Sequence, residues 1–342
     1  MRKASQPDYT QFLKVLRRQG RPDHLPFYEH IASSGFISRR MGVDVNTLWG
    51  EPKVFWKVYV DFWIGMGFDC VPLEIGPNMR LGQGHGGITE GSEAHVMIRN
   101  REDYENYPWP DESSPIDFSH FETVAGLLPD GAKILGGVGG GPYEWTSQVL
   151  GTVGMSYLLA DDPELVEMVF KRVGSLHISA DRQLAGFDSI CALRQGDDLG
   201  FKTSTFLSPD LLRKLVFPTY KAMVDHAHAN GKPFILHSCG NLAGVYDDLI
   251  DDCGIDAKHS FEDAIMPVAE FKRKYGDRVT PLGGLDVDVI CRGAEDQLRR
   301  YTRKCIEECF HDGYWALGTG NSLTDYMPVE NYLIVLEEGR RP

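Results

Sequence analysis

Positive charge is scarce in this chain: 35 lysines and arginines face 49 aspartates and glutamates, a formal net charge of −14. That balance excludes non-specific nucleic-acid binding, which needs a basic face. Long hydrophobic runs are missing as well. No stretch approaches the ~20 apolar residues of a membrane span, and the segment Met1–Arg18 lacks the apolar core of a secretory signal. A disulfide framework is absent too. The cysteines at 70, 191, 239, 253, 291, 305 and 309 form an odd, scattered set that fits reduced thiols in a cytoplasm. Cys305 and Cys309 are one helical turn apart, but with Glu307, Glu308 and Phe310 around them they read as a helix face. What is present, 42% hydrophobic and 25% charged residues, is the make-up of a soluble globular protein. No repeat, linker or low-complexity segment divides the chain, which predicts one domain over residues 1–342.

Phe234–Asn241, FILHSCGN, is the most informative stretch. A short apolar strand runs directly into a His, a Cys and a Gly-Asn turn. Side chains alternate across a strand, so His237 and Cys239 project together from its end. An imidazole beside a thiol is half of a zinc site, because Zn²⁺ prefers nitrogen and thiolate ligands. The plainer alternative is a buried cysteine and a hydrogen-bonding histidine at a strand-to-helix turn.

Seven further apolar segments resemble that strand. They begin at Leu25, Cys70, Lys133, Ser189, Gly254, Val279 and Tyr314, and helical patterns separate them. Residues 1–22 predict an amphipathic helix with Phe12, Leu13 and Leu16 on one side. Ser208-Pro209 caps a helix expected to run to Asn230, before Gly231. Residues 76–112, after the second strand, show no strong periodicity and predict a long loop over a site. Eight strand–helix units predict an α/β fold, a closed (β/α)₈ TIM barrel, rather than an open doubly wound sheet. The barrel is favoured because every strand ends in polar residues: Glu29 and His30, Glu74, Glu144, Asp198, His237 and Cys239, His259, Asp286 and Asn321. In a barrel they converge on one mouth. The run Gly139-Gly-Gly-Pro is not a dinucleotide fingerprint.

FILHSCGN, LGGLDVD at 282–288 and ALGTGNSLTDYMPVENY at 316–332 together resemble the uroporphyrinogen decarboxylase superfamily. The resemblance extends from about residue 25 to 337. It implies kinship with either the haem-pathway decarboxylase or the corrinoid-linked methyltransferases. Two departures separate the branches. The decarboxylase carries an Arg-rich first loop for its substrate's carboxylates, whereas this chain has Pro26-Phe-Tyr-Glu29-His30. An eight-carboxylate tetrapyrrole near Glu29, Glu74 and Asp198 would be electrostatically disfavoured. The methyltransferase branch holds zinc through His-x-Cys and a second Cys at the eighth strand end. Here His237 and Cys239 match, but the eighth strand ends in Gly318-Thr-Gly-Asn321. A third ligand must come from elsewhere; His259 and Glu262 are the nearest candidates, Glu144 and Asp198 the others.

The resemblance therefore implies zinc-assisted methyl transfer between a small methylated substrate or thiol and a corrinoid (methylcobalamin) carried by a partner protein. A zinc-bound thiol loses its proton, and a zinc-bound ether oxygen becomes a better leaving group. His237, Cys239, Asp198 and Asp286 are the expected catalytic set. His30, Glu29, Glu74, Glu144, His85 and Asn321 are expected to line the substrate site. Asp197 and Asp198 face opposite ways in extended chain, so Asp198 is taken to enter the pocket. Asp286 has a competing reading as a helix N-cap. Tyr143, Trp145, Tyr326 and Tyr332 are read as packing residues. Two other readings stay open: a metal-free, uroporphyrinogen decarboxylase-like lyase, and a non-catalytic binding protein on the same barrel. Donor, acceptor, direction of transfer and oligomeric state are not encoded in any motif.

Overall fold

The computed structural model describes residues 6–82, 93 and 96–341. Six parallel strands pair in chain order: β1 (Cys70–Ile75), β2 (Lys133–Val138), β3 (Ile190–Gly196), β4 (Phe234–His237), β5 (Ala257–His259) and β6 (Thr280–Pro281). Helices separate them, and among the described residues none is long and apolar enough to cross a membrane. Two further segments carry the sheet round towards its start. Leu282 bridges to Ala316, and Leu317 bridges to Phe27, both parallel. Tyr28 N donates to the Leu317 carbonyl at 2.9 Å, and Leu317 N donates to Pro26 at 2.9 Å. At the last seam, between 26–32 and β1, no strand pairing is present among the described residues. Side chains join it instead, with the Phe27 and Phe68 rings 5.8 Å apart. The architecture is the TIM barrel expected from the eight segments.

The first and eighth segments pair only through single bridges because the chain is irregular there. Pro26 has no N–H to give. At Gly318 any Cβ would collide with the Tyr28 carbonyl, so only glycine permits that approach.

The two-residue strand period divides the barrel interior into layers. Tyr28, Cys70, Ala192, Ile235 and Ala257 form an apolar floor. Two residues further along the same faces stand His30, Arg194, His237 and His259, nearer the mouth. The N-terminal helix, Tyr9–Arg17, begins at Asp8, whose side chain accepts from Thr10 N. Its Phe12, Val15 and Leu16 pack into the floor cluster and seal that end. Burying Phe12 alone contributes about 2–3 kcal/mol.

Two helical expectations change. The predicted helix from Ser208 to Asn230 is two helices, Pro209–Leu215 and Phe217–Ala229. Pro218 explains the break: it lacks the N–H that would bond back to residue 214, and its ring crowds that carbonyl. Residues 76–112 contain a short helix, Arg101–Asn106, started by the Asn100 side chain accepting from Asp103 N. The Gly-rich part of that loop, with His85, lies outside the described residues.

Candidate functional site

A cavity of about 590 Å³ opens at the C-terminal ends of the strands. This size suits a small ligand. Its wall includes His30, Glu74, Glu144, Asp197, Asp198, His237 and Asn321, which six different strand ends bring together.

β4 ends at His237, and the chain then turns so that Cys239 Sγ lies 3.6 Å from His237 Nε2. The neighbouring strand end brings Asp198: its Oδ1 accepts from Cys239 N at 2.9 Å and stands 3.7 Å from His237 Nε2. One ligand atom each from Asp198, His237 and Cys239 fall within 4.8 Å of one another. β5 supplies the next layer of the arrangement. His259 Nε2 lies 2.9 Å from the Thr319 carbonyl, which can only accept, so that nitrogen carries the proton. His259 Nδ1 is therefore the acceptor for His237 Nδ1–H at 2.8 Å. His237 Nε2 is left unprotonated, with its lone pair turned towards Asp198 and Cys239.

Electrostatics keep both rings neutral. Burial holds His237 well below the usual histidine range, and the nearby His259, Lys258 and Arg194 act in the same direction. Burial likewise holds His259 down at about 3. Burial pushes the Cys239 thiol up to about 12, and the Asp198 carboxylate adds to the shift. Without a cation the thiol stays protonated.

Those three donors fit a zinc ion. His237 Nε2 and Asp198 Oδ1, both bearing lone pairs, face each other 3.7 Å apart, with the Cys239 thiol and the Cys239 N–H beside them. A divalent cation relieves that opposition, and N, S and O donors together suit zinc. A second histidine orienting the first through its far nitrogen is the usual support of such a ligand.

The expected third ligands are displaced from this role. His259 has both nitrogens committed, one to His237 and one to Thr319, so it positions the ligand rather than serving as one. Glu262 is exposed and borders a separate small crevice with Tyr246 and Met266. Asp198, one of the other candidates, is the carboxylate whose oxygen lies with the His237 and Cys239 ligand atoms.

Other expected residues divide clearly. His30 lies flat against His237, with ring centroids 3.7 Å apart and planes 12° apart. Glu74 pairs with the buried Arg194 at 3.0 Å, and burial pushes its carboxyl up to about 7 against that pull. Glu144 accepts from Gly141 N at 3.1 Å, and burial with nearby Asp197 and Asp198 pushes it up to about 8. Asn321 Nδ2 donates to Cys239 Sγ at 3.4 Å. Asp197 also reaches the cavity wall, but its oxygens accept from Tyr143 N, Glu144 N and Tyr220 OH. It anchors the helix Pro142–Leu150.

Two expected site residues lie elsewhere. Glu29 is fully buried and turns away from the cavity, accepting from Thr319 N, Thr319 Oγ1 and Tyr332 OH. Strand alternation explains this: Tyr28 and His30 take the interior face, so Glu29 must take the other. Asp286 caps the helix Val287–Arg292 through Asp288 N and Val289 N and does not line the cavity.

Sequence reasoning missed an aromatic wall. Phe55, Trp56 and Tyr59, on the helix Pro52–Gly65, border the cavity, as does Trp145, read earlier as packing. A stripe of aromatics at helical spacing was the available signal, but it looks the same on a core helix. Arg194 and Lys258 were also missed. Lys258 is buried, bonds the Ser260 carbonyl and sits 4.2 Å over the Phe261 ring.

No curated protein matches the chain significantly. Among solved structures, a methyltransferase from Methanosarcina mazei matches at 17% identity and a TM-score of 0.70, covering 97% of each chain. A provisionally named vitamin-B12-independent methionine synthase from Listeria monocytogenes matches at 12% identity and a TM-score of 0.49, over 93% of this chain and 96% of its own. Only the first likeness is close enough to bear on the fold, and it agrees with the barrel. The sequence profile described as uroporphyrinogen decarboxylase (URO-D) matches residues 38–341. That match spans most of the chain, which therefore belongs to the uroporphyrinogen decarboxylase (URO-D) family.

Proposed function

We propose that this protein is a methyltransferase whose site is a zinc ion held by Asp198, His237 and Cys239. The observation that carries the reading is the unprotonated Nε2 of His237, turned by His259 towards a carboxylate and a thiol. When bound there, zinc supplies Lewis acidity: it deprotonates a thiol or polarises a leaving group. The protein's own groups do the rest. His259 fixes the imidazole, Asn321 donates to the Cys239 sulfur, and Cys239 N holds Asp198 in place. His30 stacks on His237 and limits its rotation.

The methyl group would pass between a small substrate in the cavity and a corrinoid presented by a partner protein at the barrel mouth. Support for this part comes from family membership and from the methyltransferase likeness of the fold. The metal-free decarboxylase alternative is weaker on electrostatic grounds. Among the described residues no lysine or arginine lines the cavity, so a polycarboxylate would meet four carboxyl groups and no cation.

The test is an assay of purified protein with methylcobalamin and a panel of thiols and methylated donors, before and after chelation. Methyl transfer that falls with chelation and with Cys239→Ser supports the reading. Turnover indifferent to both would remove it.

A further inference from the structure

The cavity wall has a composition that the metal site does not use. Phe55, Trp56, Tyr59 and Trp145 line it together with Glu74, Glu144, Asp197 and Asp198. The polar edges of three of these aromatic side chains are already occupied. Trp56 Nε1 donates to His120, Tyr59 OH to the Pro72 carbonyl, and Trp145 Nε1 to the Gly139 carbonyl, at 3.1, 2.6 and 2.9 Å. What they offer a ligand is ring carbon, whose electron-rich faces attract cations and the methyl groups on them.

The carboxyl groups can be sorted in the same way. Asp197 is saturated by three donors, Glu74 is paired with Arg194, and Asp198 belongs to the metal donors. Glu144 is different. One oxygen accepts from Gly141 N, and among the described residues the other accepts nothing. Its carboxyl is held above the ordinary range by burial and by its acidic neighbours, so a positive ligand would relieve it. Among the described residues no lysine or arginine lines the cavity to pair with an anion.

We infer that the cavity takes a small methylated onium cation, a quaternary ammonium or sulfonium head group, with Glu144 as its counter-ion and Trp56, Tyr59 and Trp145 as its aromatic wall. The inference rests on the methyl-transfer reading and names its substrate class. In the transfer, the bond from one methyl carbon to nitrogen or sulfur breaks and its electron pair stays on that atom. A neutral tertiary amine or thioether leaves, and the acceptor, a cobalt(I) corrinoid or a thiolate, supplies the pair for the new bond to carbon.

The experiment is a fluorescence or calorimetric titration of the full chain, without corrinoid, at fixed ionic strength. Choline and tetramethylammonium are compared with 3,3-dimethylbutan-1-ol, choline's neutral carbon isostere. The cations should bind about tenfold or more tighter than the isostere, a difference within the cation–π and counter-ion range. Glu144→Gln and Trp145→Leu, each checked for folding by circular dichroism, should each remove most of that preference. Equal binding of cation and isostere, or a preference that survives both substitutions, would overturn the inference. Its failure is separable from that of the methyl-transfer reading. Cation-selective binding in a protein that transfers no methyl group sinks the reading alone. Methyl transfer from a neutral donor without cation preference sinks the inference alone.

Discussion

The Nδ1 atoms of His237 and His259 lie 2.8 Å apart, and the direction of the bond between them is set from outside the pair. The Thr319 carbonyl accepts from His259 Nε2–H, so His259 Nδ1 accepts and His237 Nδ1–H donates. A backbone carbonyl on one barrel segment thereby decides which nitrogen of a histidine three segments away keeps its lone pair.

Removing that control should weaken the metal more than the fold. We expect His259→Ala to lower zinc affinity roughly 10- to 100-fold, the usual cost of losing a ligand's orienting partner. Competition with a chromophoric chelator, on variant protein shown to be folded, checks this. Unchanged affinity would mean that His237 is held by something other than His259.

Asn321 offers the converse experiment. Its amide lies 3.4 Å from Cys239 Sγ, near where the methyltransferase branch is expected to carry a second cysteine. Asn321→Cys should add a thiolate ligand and tighten zinc binding on the order of tenfold or more. A variant with the parent affinity would show that this position does not face the metal.

Much of the barrel was legible because strand alternation and polar strand ends leave marks at a two-residue period. His237 and Cys239 do come together, but through the turn after β4 rather than strand alternation, and Asp197 reaches the cavity wall as well as Asp198 although alternation allowed only one of them. Glu29 was misassigned by the same rule applied without a frame: adjacent residues take opposite faces, and nothing local said whether Glu29 or His30 faced inward. Asp286 was ambiguous because a cap and a site residue look alike until the helix behind it is seen. The aromatic wall depends on where the helix Pro52–Gly65 sits relative to the mouth, a tertiary fact that its aromatic stripe alone does not reveal.

Glu29 makes a pH prediction. Burial pushes its carboxyl up to about 8 although three donors favour the charged form. The native state thus keeps a proton that the unfolded chain releases near the ordinary glutamate value of 4.5. Stability should therefore be highest on the acid side of this window and fall as pH rises towards about 8. Glu29→Gln mimics the neutral form, so it should flatten that part of the decline and be neutral or stabilising above pH ~8. Urea denaturation of both proteins from about pH 5 to about pH 8.5 reads this directly. A steeper decline in the variant would contradict it.

Asp197 should behave as an anchor. Its carboxylate receives Tyr143 N, Glu144 N and Tyr220 OH at 3.0, 2.9 and 2.7 Å. Asp197→Ala strands those donors in a buried place and should cost about 3 kcal/mol of stability. Denaturant unfolding measures the loss. A change under about 0.5 kcal/mol would show that water replaces the carboxylate without penalty.

The most direct measurement is zinc content together with X-ray absorption at the zinc edge, on the protein and on Cys239→Ala. The account predicts about one zinc per chain, with one sulfur and otherwise nitrogen and oxygen neighbours, and loss of that metal from the variant. A protein that takes up no zinc, a shell without sulfur, or undiminished zinc in Cys239→Ala would contradict it.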